Sequence, residues 1–234
     1  MARVVNEKEY AEKRNEILTA AQRLVQTKGY EQMAIQDILD DLQISKGAFY
    51  HYFGSKQAVL EALAERMVED AKQAILPIVH DPHLPALEKL QRYFDTIVRW
   101  KTDRKPYVLE LARVWLADDN AIVRQKVHAN GVKRTAPLLA TIIRQGIQEG
   151  VFTASLPDQA GVIVLSLLED LNETLVGLLL SFEPNGGDPR CLADAVAAYT
   201  DALERVLGTS PGSLQIVDVA ALKEWTISPG DDAF

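Results

Sequence analysis

Cysteine is nearly absent from this chain: Cys191 stands alone among 234 residues. One cysteine excludes an intrachain disulfide framework and any cysteine-built zinc site, a pattern suited to a reducing cytosol. No apolar run is clean enough to cross a bilayer. The longest, Val162 to Phe182, is broken by Glu169, Asp170 and Glu173, which are costly at membrane depth. Met1 to Glu9 lacks the apolar core of a secretion signal. The expectation is a cytoplasmic protein with no membrane partner. Also missing are a Gly-rich phosphate loop, a Gly-x-Ser-x-Gly elbow and a Cys/His dyad, so no catalytic residue is assigned and no enzyme is expected. His80-Asp81-Pro82-His83 lies in a proline-rich stretch without further ligand residues, so neither a metal nor a cofactor is expected.

What is present is an ordinary globular composition, 47% hydrophobic and 25% charged, with enough chain for one large core or two modest ones. The net charge is −8, which argues against unspecific nucleic-acid binding. That charge is unevenly spread. Residues 1–66 hold nine Lys/Arg and ten Asp/Glu, a net of −1, whereas the remainder carries −7. A nearly neutral first part is therefore joined to an acidic second part, whose acidity suppresses unspecific sticking to DNA.

The periodicity is helical throughout and no alternating strand pattern competes, so the fold class is all-α. Ile17, Ala21, Leu24 and Val25 form a stripe that stops at Gly29, a natural residue to end a helix. Ile35, Ile38, Leu39 and Leu42 repeat the pattern on a shorter helix. Ser45 caps a third, very short helix carrying Phe49 and Phe53 inward, and Ser55 caps a long fourth that ends near Pro77, Pro82 and Pro85. Further stripes mark a fifth helix over Leu87 to Val98, a sixth opened by Pro106 and a seventh capped by Asp118 or Asp119. Pro137 predicts a kink or break in the seventh. Pro157 starts an apolar eighth helix, Glu183 to Pro189 reads as a turn-rich connection, and a ninth helix closes at Gly208. About nine helices and a C-terminal extension are expected.

Two short amphipathic helices separated only by Gln43-Ile44-Ser45 match a helix-turn-helix, whose second helix enters the DNA major groove. The run Ser45-Lys46-Gly47-Ala48-Phe49-Tyr50-His51-Tyr52-Phe53-Gly54-Ser55-Lys56 closely resembles the recognition-helix signature of the tetracycline-repressor (TetR) family of regulators. Arg14 to Leu18, Gly29-Tyr30 and Asp37-Ile38 are similar to that family as well. The resemblance covers roughly residues 11–71. It implies a three-helix DNA-binding domain over 11–71, with the helix-turn-helix at about 34–53, followed by a helical effector-binding and dimerisation domain over 72–208. Residues 209–234 form an extension expected to pack on its own subunit or on a dimer mate.

The candidate DNA-binding residues are Gln36, Ser45, Lys46, Gly47, Ala48, Tyr50, His51 and Lys56. Lys46 and Gly47 open the third helix, where base edges are reached, Gly47 allows close backbone approach, and the Ala48 methyl suits a thymine methyl. Tyr50 and His51 point away from the Phe49/Phe53 face, and Lys56 stands at a helix start suited to phosphate. By family resemblance, Tyr50, His51 and Lys56 are backbone anchors. This sequence departs from the family at Met33-Ala34, which removes a hydroxyl cap and leaves Gln32 or Gln36 to substitute. It departs again at Gln43, a turn position often held by Gly, and at Asp40-Asp41, which place negative charge at the end of the second helix.

In the second part, Val162, Leu165, Glu169, Asn172, Val176 and Leu179 share one face of the eighth helix, and Ser166, Asp170, Glu173, Gly177 and Ser181 another. Glu169 and Asn172 fall within an apolar face, where an unpaired carboxylate is expensive, so each requires a partner across a dimer, an internal one such as Arg99 or Arg113, or a ligand. Trp100, Tyr107, Arg113, His128, Glu169 and Asn172 are the candidate effector-pocket residues. The resemblance implies a homodimer built on the last two large helices, a double-stranded palindromic operator, release by an unidentified small-molecule effector, and action as a repressor. The rival reading is a helical small-molecule-binding protein or enzyme with a vestigial helix-turn-helix, using Glu169 with His128 or Arg113.

Overall fold

A computed structural model of the chain describes residues 7–181, 188, 190–222 and 225. Among the described residues there are ten α-helices and no strand. In chain order they are α1 (Glu7–Lys28), α2 (Ile35–Leu42), α3 (Lys46–Tyr52), α4 (Lys56–His80), α5 (Ala86–Thr102), α6 (Lys105–Leu116), α7 (Ala121–Gln148), α8 (Pro157–Ser181), α9 (Arg190–Leu207) and the short α10 (Val219–Leu222). A 3-10 turn, Asp118–Asn120, stands before α7 where an aspartate cap was expected. The connection expected at Glu183 to Pro189 lies outside the described residues except for Asp188, whose Oδ1 accepts the Arg190 N–H at 2.9 Å. No described helix is long and apolar enough to cross a membrane.

The chain forms two compact units. The first runs to Val68 and takes in Pro106–Val127; the second comprises Glu69–Lys105 and the chain from His128 onward. The boundaries at Val68 and Val127 fall inside α4 and α7.

The core of the first unit follows from the amphipathic stripes. Ile17, Ala21 and Val25 of α1, Ile38 and Leu39 of α2, Phe49 and Phe53, and Val59, Leu60 and Leu63 of α4 are all buried in one cluster. Tyr107, Leu111 and Val114, spaced four and three apart on α6, complete it. Arg66 ties α4 to α1 by donating to the Asn15 carbonyl at 3.1 Å and to Thr19 Oγ1 at 3.3 Å.

In the second unit α8 packs along α9, and α10 on α9. Gly161 lets α8 pass α7 backbone to backbone: a Cβ there would lie 2.7 Å from the Ala136 carbonyl oxygen and 2.9 Å from the Ala140 nitrogen. Pro137 does not break α7, which continues as one helix. Proline removes one intrahelical hydrogen bond, but Ala136, Leu139, Ala140, Ile142 and Ile143 around it are buried, and that packing outweighs the loss. Pro77 likewise sits within α4 between buried Ile75 and Val79. The last turn of α4 is closed by buried Lys89, whose Nζ donates to the Val79 carbonyl at 2.8 Å.

The start of the extension packs on its own subunit. The buried Glu204 carboxylate accepts the Gly212 and Leu214 N–H groups, each at 3.0 Å. Gln91 of α5 pairs with Gln215 in both directions, donating to its carbonyl at 2.8 Å and accepting its N–H at 3.1 Å. Leu214, Ile216, Leu222 and Trp225 are buried, so this stretch adds to the core of the second unit.

Candidate DNA-binding surface

The candidate surface is built by a cap, a turn and a division of aromatic rings between two faces. α2 starts without a side-chain cap from Ala34. The N3 residue supplies half of a capping box instead, as the Asp37 carboxylate accepts the Ala34 N–H at 2.6 Å. Lys28 pairs with the same carboxylate at 2.7 Å, and hydrogen bonds from Lys28 and Ala34 hold it below the usual carboxylate range. The compensation for the missing hydroxyl is thus Asp37 rather than Gln32 or Gln36. The Gln36 amide is exposed and donates to Asp40 at 2.7 Å.

α2 closes at Gln43, which adopts a left-handed conformation with φ 50° and ψ 44°. The Ile44 N–H then reaches back to the Leu39 carbonyl at 3.1 Å, a Schellman closure that glycine ordinarily makes. Ser45 follows as the N-cap of α3, its Oγ accepting the Ala48 N–H at 3.1 Å.

The residues of α3 and its C-cap, Phe53, then separate cleanly. Phe49 and Phe53 are buried at 0% and 2% exposure, while Tyr50 is 45% exposed. Lys46, Gly47 and His51 are also exposed, and Ala48 is half-buried. A Cβ on Gly47 would meet only Ser45 Oγ, at 3.9 Å, so the protein fold itself leaves that position open. Tyr10 of α1, which the sequence reading passed over, supports the aromatic end of α3. Its ring lies 5.6 Å from His51 and 4.8 Å from Tyr52, centroid to centroid. The Lys46 ammonium stands 6.0 Å from the Tyr50 ring centre.

Lys56 is more engaged than its place at a helix start suggested. Its Nζ donates to the Glu31 carbonyl at 3.1 Å and lies 4.3 Å above the Tyr30 ring. Ser55 caps α4 as expected, accepting the Ala58 N–H at 3.0 Å. Two contacts from Pro106–Val127 reach the same region. Glu110 accepts the Tyr30 N–H at 2.8 Å, and Gln57 donates to Asn120 Oδ1 at 3.3 Å. Burial, with the Glu31 charge adding to it, pushes the Tyr30 phenol up to about 12.

These features match a known pattern over two stretches of the chain. A model of the tetR family of bacterial regulatory proteins matches residues 17–63, and a tetracyclin repressor-like C-terminal domain model matches residues 112–175. The two matched stretches carry the signature of the TetR family. TetR-family relatives include the transcriptional repressor DhaR of Mycobacterium sp. strain GP1, 32% identical over 71 residues, a match covering 30% of this chain and 36% of that protein. The match to DhaR therefore spans about a third of that relative's length. The transcriptional regulator EthR of Mycolicibacterium smegmatis is 24% identical over 165 residues, covering 62% of this chain and 76% of EthR. A TetR-family regulator from Pectobacterium atrosepticum has the same fold, with a TM-score of 0.67 at 19% identity over 86% of this chain and 97% of that one.

The candidate effector residues fall into both units. Tyr107 is buried in the core of the first, and Arg113 is an exposed residue of it. Trp100, His128, Glu169 and Asn172 belong to the second. There, His128 Nδ1 meets Glu169 Oε2 at 2.5 Å, and Lys101 Nζ donates to Asn172 Oδ1 at 2.6 Å. Lys101, absent from the sequence reading, is the partner of Asn172. Burial pushes the Glu169 carboxyl up, with the His128 charge opposing. Burial also lowers Lys101 to about 8 and pushes the Tyr93 phenol up. Trp100 lies under the Arg104 guanidinium, 4.8 Å from its ring centre. Around His80-Asp81-Pro82-His83, the Asp81 carboxylate accepts the His83 N–H at 2.9 Å. Among the described residues no group of three His, Cys, Asp or Glu is placed to hold a metal.

Proposed function

We propose that the chain is a ligand-responsive repressor that binds a palindromic double-stranded operator as a homodimer and is released by a small-molecule effector. One observation carries the reading: a Ser45-capped α3 buries Phe49 and turns Lys46, Gly47, Tyr50 and His51 to solvent. A polar, partly cationic helix face with an aromatic anchor beneath it suits the major groove. Lys46, Gly47 and Ala48 approach base edges, Tyr50 and His51 hold phosphates, and Ser45 and Gln36 flank them. Lys56 contributes through the turn it braces as well as by its charge.

The division of labour we propose keeps residues 11–71 as the DNA-binding domain, 72–208 as the effector and dimerisation domain, and 209–234 as the extension. Val162 and Ile163 of α8, 42% and 47% exposed, favour a second copy of the chain as the partner that covers them. We propose the effector site around His128, Glu169 and Asn172 of the second unit, with Trp100 of the same unit as a further candidate; Tyr107 and Arg113 lie in the first unit and are not grouped with them. Release follows from unequal effector affinity for the operator-competent and incompetent states, a coupling of ~1–3 kcal/mol.

Selection of duplexes from random DNA with the purified chain tests the proposal. The expected product is an inverted repeat with half-sites about one helical turn, ~34–36 Å, or a multiple apart. Enrichment of no sequence, or of an unpaired half-site bound by a monomer, contradicts it.

A further inference from the structure

The turn between α1 and α2 leads into the second helix, which packs back on the first, so its conformation helps set how the second and third helices are offered to DNA. It is short, and its first residue, Gly29, has a φ of +79° that side-chain-bearing residues rarely adopt. The turn is held from two sides. Lys56 of α4 donates to the Glu31 carbonyl and covers the Tyr30 ring. Glu110 of α6 accepts the Tyr30 N–H at 2.8 Å from 80 residues away. The fit is close, because a Cβ on Gly29 would come within 2.8 Å of Glu110 Oε1. Gly29 is thus required for its conformation and for the approach of that carboxylate.

Helical spacing explains the aim of Glu110. Tyr107, Leu111 and Val114 form the buried stripe of α6, and Glu110 lies beside it, one turn from Tyr107 and Val114. The apolar stripe is what holds α6 on the first unit. A half-buried carboxylate next to it adds desolvation cost and would be dispensable if packing were the only requirement. It is directed instead at a single amide, in a charge-assisted hydrogen bond, at the residue from which the reading helices depart.

We propose that Glu110 is a positioning residue for DNA reading: its carboxylate fixes the Gly29–Tyr30 turn and with it the attitude of α2 and α3. This rests on the DNA-binding proposal above. Glu110 touches no base or phosphate in this account and acts through the Tyr30 amide.

The test measures duplex binding by fluorescence anisotropy, using the sequence enriched by the wild-type chain, with amide NMR and circular dichroism on the same samples. Glu110→Ala should weaken binding roughly tenfold while leaving the salt slope unchanged, since the phosphate contacts are the same in number. Glu110→Gln, whose carbonyl still accepts, should restore binding to within about twofold and retain the Tyr30 amide shift that Glu110→Ala loses. Glu110→Ala binding like wild type overturns the inference, and so does equal loss in both variants. If Glu110→Ala fails to fold, Glu110→Asp replaces it: one methylene shorter with the charge kept, it should show the same loss, and wild-type binding by it overturns the inference. A wild-type chain that enriches no duplex is a different failure, that of the DNA-binding proposal itself.

Discussion

Ser45 Oγ accepts the Ala48 N–H at 3.1 Å, so the residue that ends the turn also holds the first turn of α3. With only seven residues, α3 has few internal hydrogen bonds and depends on this cap and on the burial of Phe49. Ser45→Ala should lower stability by about 1 kcal/mol. Urea unfolding measures it. Ser45→Asp should recover the stability but not the duplex affinity, because it adds a negative charge where phosphate is expected.

Gly47 separates the needs of the fold from those of DNA. Nothing but Ser45 Oγ, at 3.9 Å, stands near a Cβ at this position. Gly47→Ala should therefore stabilise α3 by roughly 0.5–1 kcal/mol, the usual helix preference. It should weaken operator binding at the same time, by obstructing backbone approach to the groove. Thermal unfolding and anisotropy on one sample check both signs; unchanged binding would remove Gly47 from the reading face.

Gln43 carries the backbone strain of the turn at φ 50°. Gln43→Gly should raise stability by about 1 kcal/mol, because a left-handed conformation costs a side-chain-bearing residue that much. Gln43→Val should lose stability instead, since branching at Cβ makes that conformation harder still. Chemical unfolding of the two variants is the check.

Lys101 gives the second unit a pH dependence of definite sign. Burial lowers its ammonium to about 8 from an ordinary 10.5. Below about 8 both folded and unfolded chains carry the charge, and the cost of burying it is fully felt. Between the two values the unfolded chain binds more protons, so this contribution raises stability with increasing pH. Tyr30 and Tyr93, whose phenols burial pushes up, act oppositely above their ordinary 10.0, where the unfolded chain ionises first. Urea midpoints from pH 7 to pH 10 should rise for wild type relative to Lys101→Met as Lys101 loses its proton. Parallel curves would show that its burial has no energetic consequence.

The third helix was legible because its determinants are local. Ser45, Phe49 and Phe53 lie at cap and core spacings, and the exposure of Tyr50 and His51 follows from the same helical period. The anomaly at Gln43 was visible as a residue standing where glycine is usual, though its left-handed geometry required the structure. Long-range partners were not legible. Glu110 meets Tyr30 across 80 residues and Lys101 meets Asn172 across 71, and no spacing rule links them. Lys56 shows the complementary limit: its charge and helix position suggested phosphate, while the fold sets its Nζ on the Glu31 carbonyl. Of the kink or break that Pro137 marked, the break did not occur, because its cost is local and the burial of Leu139, Ala140, Ile142 and Ile143 is not.

A salt titration of operator binding tests the central claim, that the α3 face holds DNA through a few placed cations, most directly. The affinity of the purified chain for its selected duplex is measured between about 50 and 200 mM salt, with Lys46→Ala alongside. The account predicts a linear fall of log affinity against log salt of about 0.9 per neutralised phosphate, and a weaker but parallel line for Lys46→Ala, whose ammonium approaches base edges rather than phosphate. A flat dependence would contradict it.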